Sequence, residues 1–398
     1  MTERLYYDDA YRTTFEARVL RIEHDPDRTI AYLDRTAFYP TSGGQPFDTG
    51  RLGDATVLEV VESADGGIAH LIDRPIVTDS TVRGHVDWGR RFDHMQQHTG
   101  QHILSAAFVQ TCQAETVGVH LGQQSSTIDL DRIVGPDECR AGEDVANATV
   151  WRDRPVLVRF ADAAEAASMP LRKASAREGR LRLVDIEDVD LSACGGTHVS
   201  RTGEVGAIGV LRVERYKGGS RLEFACGGRA VHAFRQLRDA VIGATQRLSV
   251  LPGELPSAID RLQAENKAAV RQRKALQARL TGFEADALTR RASEMAGCAV
   301  VIETLEGHDA ASLKELGMAI AGRAGHVAVL LSASPPVVAV VASARDTPVD
   351  AGALVRALTA RFGGRGGGRR AVAQAGGLDA SPDAIATFAR QTIASAGR

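Results

Sequence analysis

The chain has 398 residues, 44% hydrophobic and 25% charged, which is too long for one typical domain and fits two to four ordinary globular ones. A formal net charge of −2 excludes a global basic field, so any surface for a polyanion must be local. Five widely separated cysteines, a charged N-terminus without a signal-peptide core, and no run near the roughly 18 apolar residues of a membrane helix place the expected setting in a reducing cytoplasm, away from membranes.

Residues 1–90 carry short β-branched runs at 14–22, 29–34, 55–62, 68–72 and 81–88, separated by turn signals. That spacing predicts a small antiparallel β-barrel-like domain. Its segment 36–50, TAFYPTSGGQPFDTG, reads on composition as a long hairpin loop. From Arg91 to Cys112 apolar residues and histidines recur every three or four positions, which predicts a helix. A strand at 125–131, a helix at 138–153 and a strand at 155–162 follow. The run 181–190 then leads into SACGGTHVSRTGEVG, and 206–227 reads as a hairpin turning at Lys217–Ser220. Residues 91–250 are thus expected to form an α+β core.

Residues 251–293 are expected to be a helical linker. Leu255, Ile259, Leu262, Asn266, Ala269, Arg273, Leu276, Leu280, Phe283 and Ala287 alternate steps of four and three, a coiled-coil seam interrupted by its two polar members. Packing on a neighbour in the same chain and a homodimer zipper both satisfy it. Residues 294–398 read as an α/β module, with buried strands at 326–333 and 337–344, helices at 309–323 and 349–362, and a glycine-rich loop at 362–377. The expected fold class is therefore α+β in four parts: barrel, α+β core, linker and glycine-rich α/β module.

Two constellations carry chemistry. His98 and His102 stand one helical turn apart, so both imidazoles can reach one metal. The glutamate of an HExxH protease is missing, since Thr99, Gly100 and Gln101 lie between them. His94 is also four residues before His98, so that pair is equally possible on spacing alone. The second half-site is Cys194-Gly195-Gly196-Thr197-His198, whose glycines suit a tight turn that aims both ligands at one point.

Together FYPTSGGQPFDTG, HTGQH and CGGTH resemble the editing domain of alanyl-tRNA synthetase, and more closely the long form of the alanyl-tRNA editing proteins. CGGTH is the most specific element, and the likeness spans nearly the whole chain. It implies one zinc ion held by His98, His102, Cys194 and His198, and hydrolysis of alanine tRNA mischarged with serine or glycine. It also implies that Thr41, Gly43, Gly44, Gln45, Gln101 and Thr197 line the substrate, with the glycine loop closing over the terminal adenosine. The synthetase-attached domain commonly has threonine where this chain has Gln101. No aminoacylation domain precedes the motifs, so a freestanding editor is expected. The C-terminal module resembles the one that ends alanyl-tRNA synthetase. Its segment 363–377, with seven glycines and three arginines, makes Arg365, Arg369 and Arg370 candidate tRNA-binding residues. A non-catalytic tRNA-binding protein with a structural zinc site is the alternative.

Overall fold

The structure, a computed structural model, describes residues 2–25, 28–123, 125–173 and 179–395. It forms two compact units, one ending at Pro252 and one beginning at Gly253. The fold is mixed α and β, with a closed six-stranded barrel in the first unit and an α/β region in the second.

The barrel strands are β1 (Thr14–Asp25), β2 (Arg28–Leu33), β3 (Gly50–Leu52), β4 (Ala55–Glu62), β5 (Ile68–Ile72) and β6 (Thr81–Val86), closed in the order β1-β2-β5-β4-β3-β6. Alternation puts Phe15, Ala17 and Val19 of β1 inside, where they meet Leu33, Val57 and Ile72. The segment between β2 and β3 is fastened by a buried ion pair. The Arg91 guanidinium donates to both carboxylate oxygens of Asp48 and to the carbonyls of Ala10 and Ala37. Asp48 also accepts from the Tyr39 backbone N–H at 2.7 Å.

Helix α1 (Trp88–Cys112) starts at an Asp87 N-cap and ends at Gln113, which takes a left-handed φ of 54°. It packs with α2 (Pro136–Trp151) over a sheet of β7 (Thr116–Leu121), β8 (Ser126–Leu130), β12 (Ile208–Tyr216) and β13 (Gly219–Cys226). Met95, Ile103, Leu104, Phe108, Ile128 and Phe224 form much of that core. A smaller antiparallel sheet holds β9 (Val156–Ala161), β10 (Leu181–Ile186) and β11 (Asp190–Ala193). Here the structure departs from the single run expected at 181–190. Asp188, at φ 56°, reverses the chain between β10 and β11 without a glycine or proline to mark the turn. α3 (Gly227–Leu248) ends the unit.

In the second unit α4 (Leu255–Thr289) runs for 35 residues. Its C-terminal end packs through Ala285 and Leu288, whereas the seam residues Leu262, Leu276, Leu280 and Phe283 are more than half exposed (53, 54, 59 and 66%). The sheet has the order β14-β15-β16-β17-β19-β18, with β14 (Ser293–Met295), β15 (Cys298–Leu305), β16 (His326–Ser332), β17 (Val337–Ser343), β18 (Arg365–Gly368) and β19 (Val372–Leu378). α5 (Ala310–Ala321) covers one face, and α6 (Ala351–Phe362) with α7 (Pro382–Ser395) covers the other. The glycine-rich segment expected as a loop contains the edge strand β18 and part of β19. A Cβ on Gly366 would lie 2.6 Å from the Gln374 carbonyl oxygen, and one on Gly368 would lie 2.3 Å from the Ala373 Cα. The glycines thus permit a close strand pairing, not only a flexible loop.

Candidate metal centre

α1 presents His98 and His102 on one buried face, and the loop after β11 brings Cys194 and His198 against them. The four potential ligand atoms lie within 4.8 Å of one another. Cys194 Sγ is 3.4 Å from His98 Nε2 and 3.3 Å from His198 Nε2. His94 stands outside this group. It is buried, and its Nδ1 has no hydrogen-bond partner among the described residues. The histidine pair is therefore His98 and His102.

The opposite nitrogen of each ring is already engaged. His98 Nδ1 meets Gln45 Oε1 at 2.8 Å, His102 Nδ1 meets Asp190 Oδ2 at 2.7 Å, and His198 Nδ1 meets Thr99 Oγ1 at 3.1 Å. Each partner fixes its ring and leaves Nε2 facing the common centre. Arg182 holds the cysteine loop from below, donating to the carbonyls of Cys194 at 2.8 Å and Gly196 at 2.9 Å.

The electrostatics suit a cation. Burial would raise the Cys194 thiol, but the imidazoles of His98 and His198 and a hydrogen bond from His102 hold it well below its ordinary value of 9.0. Burial would lower His102, yet Asp190 and the Cys194 sulfur raise it to about 9. Burial and the neighbouring His98 push His198 down to about 3. Burial opposes ionisation of Asp190, and its contacts with His102 and Arg172 bring it down to about 2.

Residues 181–223 match the threonyl and alanyl tRNA synthetase second additional domain, and residues 297–395 match the DHHA1 domain. The alanine–tRNA ligase of Pyrococcus abyssi is 34% identical over 94% of this chain and 42% of its own length. That of Halorubrum lacusprofundi is 35% identical over 96% of this chain and 44% of its own length. Nearly the whole chain is thus similar to a part of alanine–tRNA ligase. It spans less than half the length of these curated relatives. Among solved structures, the C-Ala domain of Aquifex aeolicus alanyl-tRNA synthetase aligns with 26% of this chain and 97% of its own, at 17% identity and a TM-score of 0.24.

Around this cluster the other expected site residues take distinct places. Thr41, Gly43 and Gly44 are exposed on their loop, and the Gly44 carbonyl accepts from the Leu121 N–H at 3.1 Å. Gln45 and Thr197 are expected against substrate, but both side chains are fully buried and bound to each other. Gln45 Nε2 donates to Thr197 Oγ1 at 2.8 Å, while Oε1 accepts from the Thr197 N–H at 3.1 Å. Their amide and hydroxyl are spent on orienting His98 and the cysteine loop. Gln101 is buried and donates to Ser105 Oγ at 2.8 Å. In the second unit Arg365, Arg369 and Arg370 are exposed, with Arg370 donating to the Thr347 carbonyl at 2.8 Å.

The two glycines of CGGTH are not equivalent. A Cβ on Gly196 would lie 2.2 Å from His98 Cε1, whereas one on Gly195 meets nothing closer than Tyr7 Oη at 3.6 Å. Gly196→Ala must displace the His98 ring and, if the cluster holds zinc, is expected to weaken its binding by at least about 10-fold, the scale of a disturbed ligand orientation. Gly195→Ala should change it little. Zinc affinities of the two variants decide, and equal values would refute this reading of the loop.

Proposed function

We propose that this chain hydrolyses the ester bond of alanine tRNA mischarged with serine or glycine, using one zinc ion held by His98, His102, Cys194 and His198. The observation that carries the reading is the convergence of three imidazoles and one thiol within 4.8 Å, each ring turned by a partner on its other nitrogen. Soft sulfur plus imidazole nitrogen is a donor set that suits zinc. Zinc bound there would act as a Lewis acid toward the ester carbonyl or a water, or anchor the amino group of the substrate.

The protein's own part is positioning. Gln45, Thr99 and Asp190 lock the imidazoles, so the centre need not reorganise when substrate arrives. Exposed Gly43 and Gly44, on the loop anchored by buried Gln45, leave backbone amides free to approach the terminal ribose and adenine. Thr41 on the same loop and Gln101 beside His102 are the side chains we assign to the substrate's edge. In the second unit, Arg365 and Arg369 on and beside the glycine strand are exposed cations that suit phosphate contacts, while Arg370 shares its guanidinium with a carbonyl.

One observation favours the alternative, a tRNA-binding protein with a structural metal. Four protein donors can close a tetrahedral zinc shell, whereas catalytic zinc usually keeps one position open. Cys194 is the least buried residue of the four, and the catalytic reading requires substrate to reach the centre from its side. Deacylation by the purified chain separates the readings. Ser-tRNA(Ala) is expected to lose its amino acid on the order of 10⁴-fold faster than Ala-tRNA(Ala), because a site that pairs the serine hydroxyl leaves polar groups unpaired with alanine. Equal rates would remove the proofreading role, and no hydrolysis by zinc-loaded protein would leave the binding reading.

A further inference from the structure

Of the three groups that turn the histidine rings, Gln45 and Thr99 are neutral and Asp190 is a carboxylate. Its side chain is wholly buried at the first residue of β11, immediately after the reversal at Asp188. Oδ2 accepts from His102 Nδ1 at 2.7 Å and from Ser192 Oγ at 2.9 Å. Oδ1 accepts from Arg172 Nε at 2.6 Å. Arg172 is itself tied to the same strand, its backbone N–H donating to the Leu191 carbonyl at 2.9 Å. It also lines a cleft of about 510 Å³, whose other walls include Ala106 and Gln110 of α1 and Thr149 of α2.

We infer that Asp190, gripped by Arg172, is a positioning residue for the metal centre, and that Arg172 reaches the metal through it. The inference rests on the metal reading given above and adds two residues to it. A buried carboxylate is costly unless paired and fully hydrogen-bonded, and three donors converge on this one from three different segments. A neutral side chain could fill the same space and accept one bond from His102. The charge adds something a filler does not: it keeps the proton on Nδ1, presents the Nε2 lone pair to the centre, and makes that nitrogen a stronger donor. Arg172 keeps the carboxylate aimed. The chain Arg172–Asp190–His102 thus runs from the cleft to the centre.

The test uses the full chain, with zinc affinity measured by chelator competition and visible absorption recorded after loading with cobalt(II). Asp190→Asn keeps the shape and removes the charge. It is expected to weaken zinc binding about 10- to 100-fold and to shift the cobalt bands, since a ligand's outer partner is worth that much. Arg172→Ala should move both readouts in the same direction by less, and Arg172→Lys should restore part of the loss. The partly exposed Arg172 carries the test if Asp190→Asn does not fold, a point read from circular dichroism of the zinc-free proteins. Wild-type affinity and wild-type cobalt bands in Asp190→Asn, or in Arg172→Ala where only that variant folds, would overturn the proposal. Affinity is read without substrate, so a zinc-tight but inactive wild type would overturn only the hydrolase reading.

Discussion

Cys194→Ala is expected to weaken zinc binding by more than about 100-fold and to bring Ser-tRNA(Ala) hydrolysis down to background. Loss of a ligand must exceed the roughly 10- to 100-fold cost of losing a ligand's outer partner, which sets the floor for that figure. The sulfur is also the one anionic donor among the four, and the imidazoles of His98 and His198 sit beside it at 3.4 and 3.3 Å. Without it, three rings face one another with no negative charge to offset a bound cation. The fold should survive, because Cys194 lies on a loop at the edge of its core cluster and is only partly buried. Unfolding of the zinc-free variant is therefore expected within about 1 kcal/mol of zinc-free wild type. Zinc content, deacylation and denaturant unfolding of the two proteins are the measurements. A variant that keeps its zinc and its turnover would remove Cys194 from the centre.

Each half of the cluster is legible in the sequence because its information is local, although spacing alone leaves His94–His98 open and only the family resemblance implies that the four residues share one site. Four positions on a helix bring His98 and His102 together, and a five-residue loop does the same for Cys194 and His198. What orients those ligands is not local. Asp185, Glu187, Asp188 and Asp190 read as one acidic run, yet Asp185 pairs with Arg159 and Asp188 with Arg154, and only Asp190 turns inward. The reversal at Asp188 makes that choice, and no glycine or proline announces it. Gln45 shows the same limit. The family resemblance implies a ligand-facing role for it, while its position opposite His98 across 53 residues of chain sets it behind the centre. In the second unit composition reports glycine and not the reason for it. Gly366 and Gly368 serve a tight strand pairing that a residue count cannot distinguish from a loop. Barrel strands are easier, since alternation along each strand decides which side chains fill the interior.

Arg91→Ala is expected to destabilise the first unit by about 3–5 kcal/mol, well beyond the cost of an ordinary point change. The Arg91 and Asp48 side chains are both fully shielded from solvent, and removal of one partner strands the other charge in the interior. Asp48 would keep only the backbone N–H of Tyr39 among its present side-chain partners, and the carbonyls of Ala10 and Ala37 would lose their donor. The double change Arg91→Met with Asp48→Asn should recover a large part of the loss, because it removes both charges and keeps most of the volume. Urea unfolding of the three proteins without zinc gives these values directly. The same pair also matters to the centre. Asp48 anchors the segment that carries Gln45, and Gln45 turns His98, so zinc binding should weaken in Arg91→Ala even under conditions where the protein remains folded. Unfolding within about 1 kcal/mol of wild type would mean that the interior resolvates around Asp48. Unchanged zinc affinity in a destabilised protein would mean that Gln45 is held by Thr197 alone, and that the barrel segment does not govern the geometry of the metal site.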